Sequence, residues 1–186
     1  MFDKTFMLAL FDNFQILIAL TVISQVINRF NFKKALFNAF LYGLIFGCVG
    51  LLIMMFPFVL TAGITFDSRS ILLSIVGLFY PGFTTIITAS IIMIYRIYLG
   101  GSGVYMGISV IFTSATLGYI WKKNETISKY KGKWYYYYSL GIVVHLFMLI
   151  YMYLLPRSVQ ILSIKYIGLP VLLFYPIVTI IIGKLF

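Results

Sequence analysis

The sequence predicts an all-α fold: a polytopic membrane helical bundle of six spans plus a short or re-entrant helix that reverses at Pro81-Gly82. Three observations predict it. The chain has 186 residues, is 62% hydrophobic and only 10% charged, and has a mean hydropathy of +1.06, whereas a soluble domain carries about 25% charged residues. Several apolar runs approach the roughly 20 residues that cross a bilayer as a helix, with each backbone N–H and C=O satisfied internally. The basic residues stand mostly between those runs. The pattern has none of the short alternating segments of a membrane barrel.

The first span runs from about Phe6 to Ile27, with Asp12 and Asn13 near its start. Asp3 beside Lys4, and no small-residue cleavage pattern, mark this run as a retained helix rather than a signal peptide. A basic loop with Arg29, Lys33 and Lys34 follows. The second span, about Ala35 to Phe58, carries Gly43, Gly47 and Gly50, a spacing that lets helices approach closely. A polar stretch from Thr61 to Ser70 leads into a run of 26 residues without charge, Ser70 to Tyr95, between Arg69 and Arg96. Gly100, Gly101 and Gly103 make a tight turn before a span from Val104 to Trp121. A loop with five lysines (Lys122, Lys123, Lys129, Lys131, Lys133) comes next. Trp134 and Tyr135 to Tyr138 open the fifth span as an interfacial aromatic belt; it ends near Leu155. Residues 156–165 read as a connector, and Tyr166 to Phe186, with Pro170 and Pro176, as the last span. No linker interrupts residues 1–186, so one domain is expected.

Topology decides whether the arginines meet. One continuous helix from Ile71 to Tyr98 would be about 42 Å long, more than a 30 Å core needs. It would put Arg69 and Arg96 on opposite faces and the five-lysine loop outside, against the positive-inside bias. A reversal at Pro81-Gly82, a strong turn dipeptide, flips the parity. Both basic loops and Lys184 then become cytoplasmic, the N-terminus lies outside, and the two arginines share the outer side.

An arginine near hydrocarbon is costly, stays protonated and presents a planar fork suited to a carboxylate. Arg69 and Arg96 are therefore candidates for holding a small anion. The competing reading has Arg96 reaching to the headgroups and Arg69 pairing with Asp67. Ser109, Thr113 and Thr116 share one helix face, as do Thr84, Thr88 and Arg96. These hydroxyls either line a cavity below the arginines or make ordinary interhelical hydrogen bonds. His145 is either a proton or ligand site or a group bonded to a neighbour. Asp12 either pairs with an arginine or sits at the outer interface. With a lone His, the single Cys48 and four carboxylates, the sequence offers no metal cluster, cofactor site or catalytic constellation. The net charge of +10 is a topology and lipid signal here, not one for nucleic acid.

The segments Phe66-Asp67-Ser68-Arg69-Ser70, Gly77-Leu78 and Tyr95-Arg96-Ile97-Tyr98-Leu99-Gly100-Gly101, with the later Leu169-Pro170, resemble the five-transmembrane LytS/YhcK-type sensor domain. The resemblance covers about Phe40 to Phe186. It implies a bacterial inner-membrane sensor, not an enzyme, at the N-terminal side of a histidine kinase or diguanylate cyclase output domain and working as a homodimer. In such domains, arginines matching Arg69 and Arg96 are implicated in binding small carboxylates such as pyruvate. A Cys-Gly-Ile-Ser segment of that family corresponds to Met106-Gly107-Ile108-Ser109: Ser109 matches, Met106 does not, and the preceding loop is one residue shorter. The resemblance thus implies Arg69, Arg96 and Ser109 as ligand contacts; Asp67, Met106 and Thr113 beside them complete the candidate ligand site, with membrane lipid around the bundle. A transporter subunit or small-solute carrier is the alternative, since prolines near the midplane are compatible with broken helices.

Overall fold

A computed structural model describes residues 4–28, 34–61 and 63–186, with backbone only at 27 and 28. Arg29 and Lys33 of the first basic loop lie outside the described residues. Helix α1 is Lys4–Asn28 and α2 is Ala35–Met55. Strands β1 (Phe58–Thr61) and β2 (Ile64–Phe66) pair antiparallel. Helix α3 is Arg69–Phe79, α4 is Gly82–Leu99 and α5 is Val104–Lys123. A single turn, α6 (Glu125–Ser128), precedes α7 (Trp134–Tyr151). Helix α8 (Arg157–Ser163) continues through a π-turn at Ile164–Gly168 into α9 (Leu169–Leu185). Among the described residues, six helices are long and apolar enough to cross a membrane, and α3, with 11 residues, is a shorter apolar helix beside them.

Three boundaries depart from the sequence reading. The second span stops at Met55, because Pro57 disfavours helical backbone at Phe56; Asn13 Nδ2 donates to the freed Phe56 carbonyl at 2.8 Å. The following residues form the β-hairpin, which no periodicity announced in so short a stretch. The stretch read as a connector, residues 156–165, is mostly helical, so the last apolar helix runs continuously over Arg157–Leu185. Pro156 opens it, where a missing N–H costs nothing.

Helix α3 is the core of the bundle. Every residue from Arg69 to Leu78 is buried. Glycine makes this possible on the α5 side: a Cβ on Gly118 would lie 2.2 Å from the Ser74 carbonyl, and one on Gly77 2.6 Å from that of Ala115. Apolar area gives little drive between helices in lipid, so such close backbone packing carries the association. The same device joins α2 to α4, where Gly43, Gly47 and Gly50 meet Ile87, Ile91 and Ile92. Thr84 and Thr88 reinforce that contact by donating to the Ala39 and Gly43 carbonyls; for these two hydroxyls the interhelical reading holds.

The chain does reverse at Pro81-Gly82. Lys122 Nζ donates to the Tyr80 carbonyl at the end of α3 at 2.8 Å, a cation on the negative end of the helix dipole. Lys131 lies over the Phe79 ring, and Phe186 packs on both Phe79 and Tyr80. The lysine loop, the turn and the C-terminus therefore share one end. At the other end, Gly63 of the hairpin turn (φ +79°) lies against Gly101 (φ +85°), and its carbonyl accepts from Gly103 N at 3.3 Å. These positive φ values suit glycine alone. Helix α3, about 16 Å long, starts about 10 Å short of the far end of α4, and the hairpin fills the remaining depth. Non-helical backbone is tolerated there because protein buries it.

Candidate functional site

The site sits where the hairpin hands over to α3. Asp67 Oδ1 accepts from the Arg69 backbone N–H at 3.1 Å and from Arg69 Nε at 2.9 Å. The carboxylate thereby caps the start of α3 and fixes the guanidinium in one stroke. Arg69 Nη1 also approaches the Met54 sulfur at 3.5 Å. The pairing expected from sequence as the alternative to a ligand role is therefore present.

Arg96, in the last turn of α4, does not reach outward. It is 2% exposed, against 5% for Arg69 and 4% for Asp67. Its Nη2 donates to the Gly63 carbonyl at a long 3.4 Å. The side chain lies on the backbone of α5: a Cβ on Gly107 would fall 2.6 Å from Arg96 Nε, and one on Gly103 3.0 Å from Nη2. Two glycines one helical turn apart therefore make the seat of this arginine.

Charge does not balance at the site. Two guanidinium groups face one carboxylate, and Arg96 lies within electrostatic reach of both Asp67 and Arg69. Among the described residues, Asp67 Oδ2 and Arg96 Nε have no hydrogen-bond partner. Burial pushes the Asp67 carboxyl above the ordinary carboxylate range, with the Arg69 guanidinium, its backbone N–H and Arg96 pulling against that shift. A cavity of about 20 Å³ lies between β2 and α5, lined by Asp67, Arg69, Gly103, Met106 and Gly107 among others. That is room for about one water molecule. Arg69 borders this cavity directly, and Arg96 lies against Gly103 and Gly107, which wall it.

The remaining candidates divide. Met106 lines the cavity. Ser109 bonds back to the Tyr105 carbonyl of its own helix at 3.0 Å. Thr113 meets the Tyr151 hydroxyl at 2.7 Å across to α7. Thr116 bonds back to Phe112 and faces a different groove. Asp12 is exposed beside Phe56 and Pro57.

His145 is bonded to neighbours, as one of its two readings had it, but the sequence did not connect it or Tyr175 to the arginine. His145 is fully buried; its Nδ1 donates to the Gly141 carbonyl at 2.6 Å, so its Nε2 accepts from the Ser70 hydroxyl at 3.0 Å. The ring also packs edge-on against Tyr175, 4.9 Å between centroids. Tyr175 hydrogen-bonds the Ser68 side chain. Ser68 and Ser70, flanking Arg69, thus tie the first turn of α3 to α9 and α7. The available signal was two small hydroxyls around a membrane arginine, with a lone histidine 75 residues away.

The family model described as 5TMR of 5TMR-LYT matches residues 24–186. No curated protein and no solved structure matches the chain.

Proposed function

The chain belongs to the 5TMR-LYT family of membrane sensor domains, and from that premise we propose that it binds a small extracytoplasmic anion, a carboxylate such as pyruvate, between Arg69 and Arg96. One observation carries the reading. The buried site holds two guanidinium groups and one carboxylate, and Arg96 Nε has no partner among the described residues. An uncompensated buried charge costs several kcal/mol, and a bound anion removes that cost. The planar fork of Arg96 offers Nε and an Nη for bidentate contact.

A cavity of about 20 Å³ is smaller than a three-carbon acid needs. Entry therefore requires the start of α5, with Met106, to move away from the hairpin. An anion that binds the opened arrangement better than the closed one shifts the balance between them, and its influence is limited to that difference in affinity. The first turn of α3 is tied to α7 and α9, so the opening strains contacts that lead to the last helix. We place the lysine end in the bacterial cytoplasm by the positive-inside bias. The arginine end then faces outward, and α9 points at a kinase or cyclase output domain in a homodimer.

The test is binding of pyruvate and related acids to the purified protein by calorimetry, with Arg69→Ala and Arg96→Ala. Truncating one partner of a buried charged pair typically costs about 2–5 kcal/mol, so affinity should fall by about 30-fold or more at Arg96. If both variants bind as well as the unaltered protein, the clamp is wrong. A carrier is the second reading, favoured by the π-turn at Ile164–Gly168 and by Pro176 inside α9; uptake into proteoliposomes would support it.

A further inference from the structure

A second cavity lies at the opposite end of the bundle. It is a groove of about 590 Å³ between α4 and α5. Its floor is made of small residues, Gly82, Ala89 and Ser90 on α4 and Ala115 on α5. Its walls are large and outward-facing: Phe83, Ile86 and Phe112 are all exposed on the bundle surface. The Thr85 and Thr116 hydroxyls bond back to their own helices, so the groove presents little free polarity. From Gly82 to Met93 it follows about 16 Å of helix, the shape of a slot for one extended hydrocarbon chain.

The mouth of the slot is basic. Tyr119 lines the groove beside Gly82, and Lys123 Nζ lies over the Tyr119 ring at 5.9 Å. Lys131 Nζ lies over the Phe79 ring at 5.5 Å, next to the same turn. Both lysines are within electrostatic reach of Lys122. The acids among the described residues are few: Asp67 is buried at the other end, Asp12 lies beside the hairpin, and only Glu125 is close in sequence. No ion pair forms at this cluster among the described residues.

We propose that the α4–α5 groove binds one acyl chain of an anionic phospholipid, with the headgroup phosphate on Lys123 and Lys131. A second copy of the chain fits the slot less well. A two-fold axis along the membrane normal would bring the lysines of both copies to the same depth, like charge against like. An anionic headgroup instead neutralises them, and juxtamembrane lysines attract such lipid. The site is separate from the arginine clamp and stands whether or not the clamp binds a carboxylate.

The experiment is native mass spectrometry of the full chain released from vesicles of equal phosphatidylglycerol and phosphatidylcholine. The unaltered protein should retain one phosphatidylglycerol in preference to phosphatidylcholine. Each lysine near an anionic surface contributes about 5-fold, so Lys123→Gln with Lys131→Gln should reduce that preference by about 30-fold. Ser90→Phe, at an exposed position on the groove floor, should remove bound lipid of both kinds. Equal retention of the two lipids, or undiminished phosphatidylglycerol on Ser90→Phe, overturns the proposal. Loss of a dimer on Ser90→Phe, without loss of lipid, overturns it in favour of a subunit interface.

Discussion

The Ser70 hydroxyl donates to Nε2 of His145 at 3.0 Å and so ties the first turn of α3 to the middle of α7. His145→Ala removes this acceptor and leaves a hole against Tyr175. A buried ring truncated to alanine costs roughly 3 kcal/mol, and the hydrogen bond adds about 1 kcal/mol. The expected outcome is lower stability in detergent and weaker pyruvate binding, since Arg69 immediately precedes Ser70 in the same turn. A double-mutant cycle with Ser70→Ala should return a coupling of about 1 kcal/mol. His145→Gln, which keeps an acceptor, should recover part of the binding; if it recovers stability but no affinity, the histidine does not position Arg69.

Asp67 pairs with Arg69 and lies within electrostatic reach of Arg96, and its carboxyl is held above the ordinary range, chiefly by burial. Such a group binds its proton more tightly in the folded protein than in the unfolded chain. Stability is therefore highest below the ordinary carboxylate value and falls as pH rises through the window up to the folded value. Anion binding follows the same direction, because a protonated Asp67 no longer competes for the guanidinium groups. We expect the affinity for an anion that stays ionised across this window to fall as pH rises, and Asp67→Asn to bind more tightly with a flatter profile. A slope that survives in Asp67→Asn would assign the titration to another group.

Gly107 exists as glycine because Arg96 lies on it. A Cβ there would come within 2.6 Å of Nε and 3.1 Å of Cδ. The obstructing atoms belong to a long side chain, so Gly107→Ala should leave the bundle intact and displace the guanidinium. Pyruvate affinity should drop at least 10-fold, by roughly 1.4 kcal/mol, while thermal stability changes by about 1 kcal/mol or less. Gly118→Ala is the contrast. Its Cβ would meet the Ser74 backbone at 2.2 Å, and backbone cannot step aside, so this variant should fail to assemble. Calorimetry and thermal unfolding of the two proteins separate the effects.

Spans and their order were legible because each apolar run is set off by basic residues or glycine, as with Gly100 to Gly103 before α5. The shared side of Arg69 and Arg96 was legible too, from lysine positions and the Pro81-Gly82 dipeptide. The hairpin was not, since Phe58–Thr61 and Ile64–Phe66 are too short for a period-2 signal, the first continuing an apolar run and the second lying in the polar stretch after it. The fate of the hydroxyls was legible only as a choice between lining a cavity and ordinary hydrogen bonding: Thr84 and Thr88 donate across to α2 carbonyls, whereas Ser109 and Thr116 bond back to carbonyls of their own helix. Periodicity fixes which residues share a face, and only packing fixes what that face meets.

Orientation can be read directly by labelling. Cys48 on α2 is exposed and is first replaced by alanine, so that a single new cysteine reports. Ser102→Cys lies in the exposed α4–α5 turn beside the hairpin. Gly82→Cys lies at the Pro81 turn, where its Cβ meets only the Tyr119 ring at 3.3 Å or more. A membrane-impermeant maleimide on intact cells should label Ser102→Cys at once and Gly82→Cys only after permeabilisation. This follows from the proposed orientation, in which the positive-inside bias puts the lysine end, with Lys122, Lys123 and Lys131, in the cytoplasm. Labelling of Gly82→Cys alone in intact cells inverts the protein and puts the arginine site inside. Labelling of both from one side removes the crossing that α4 is required to make.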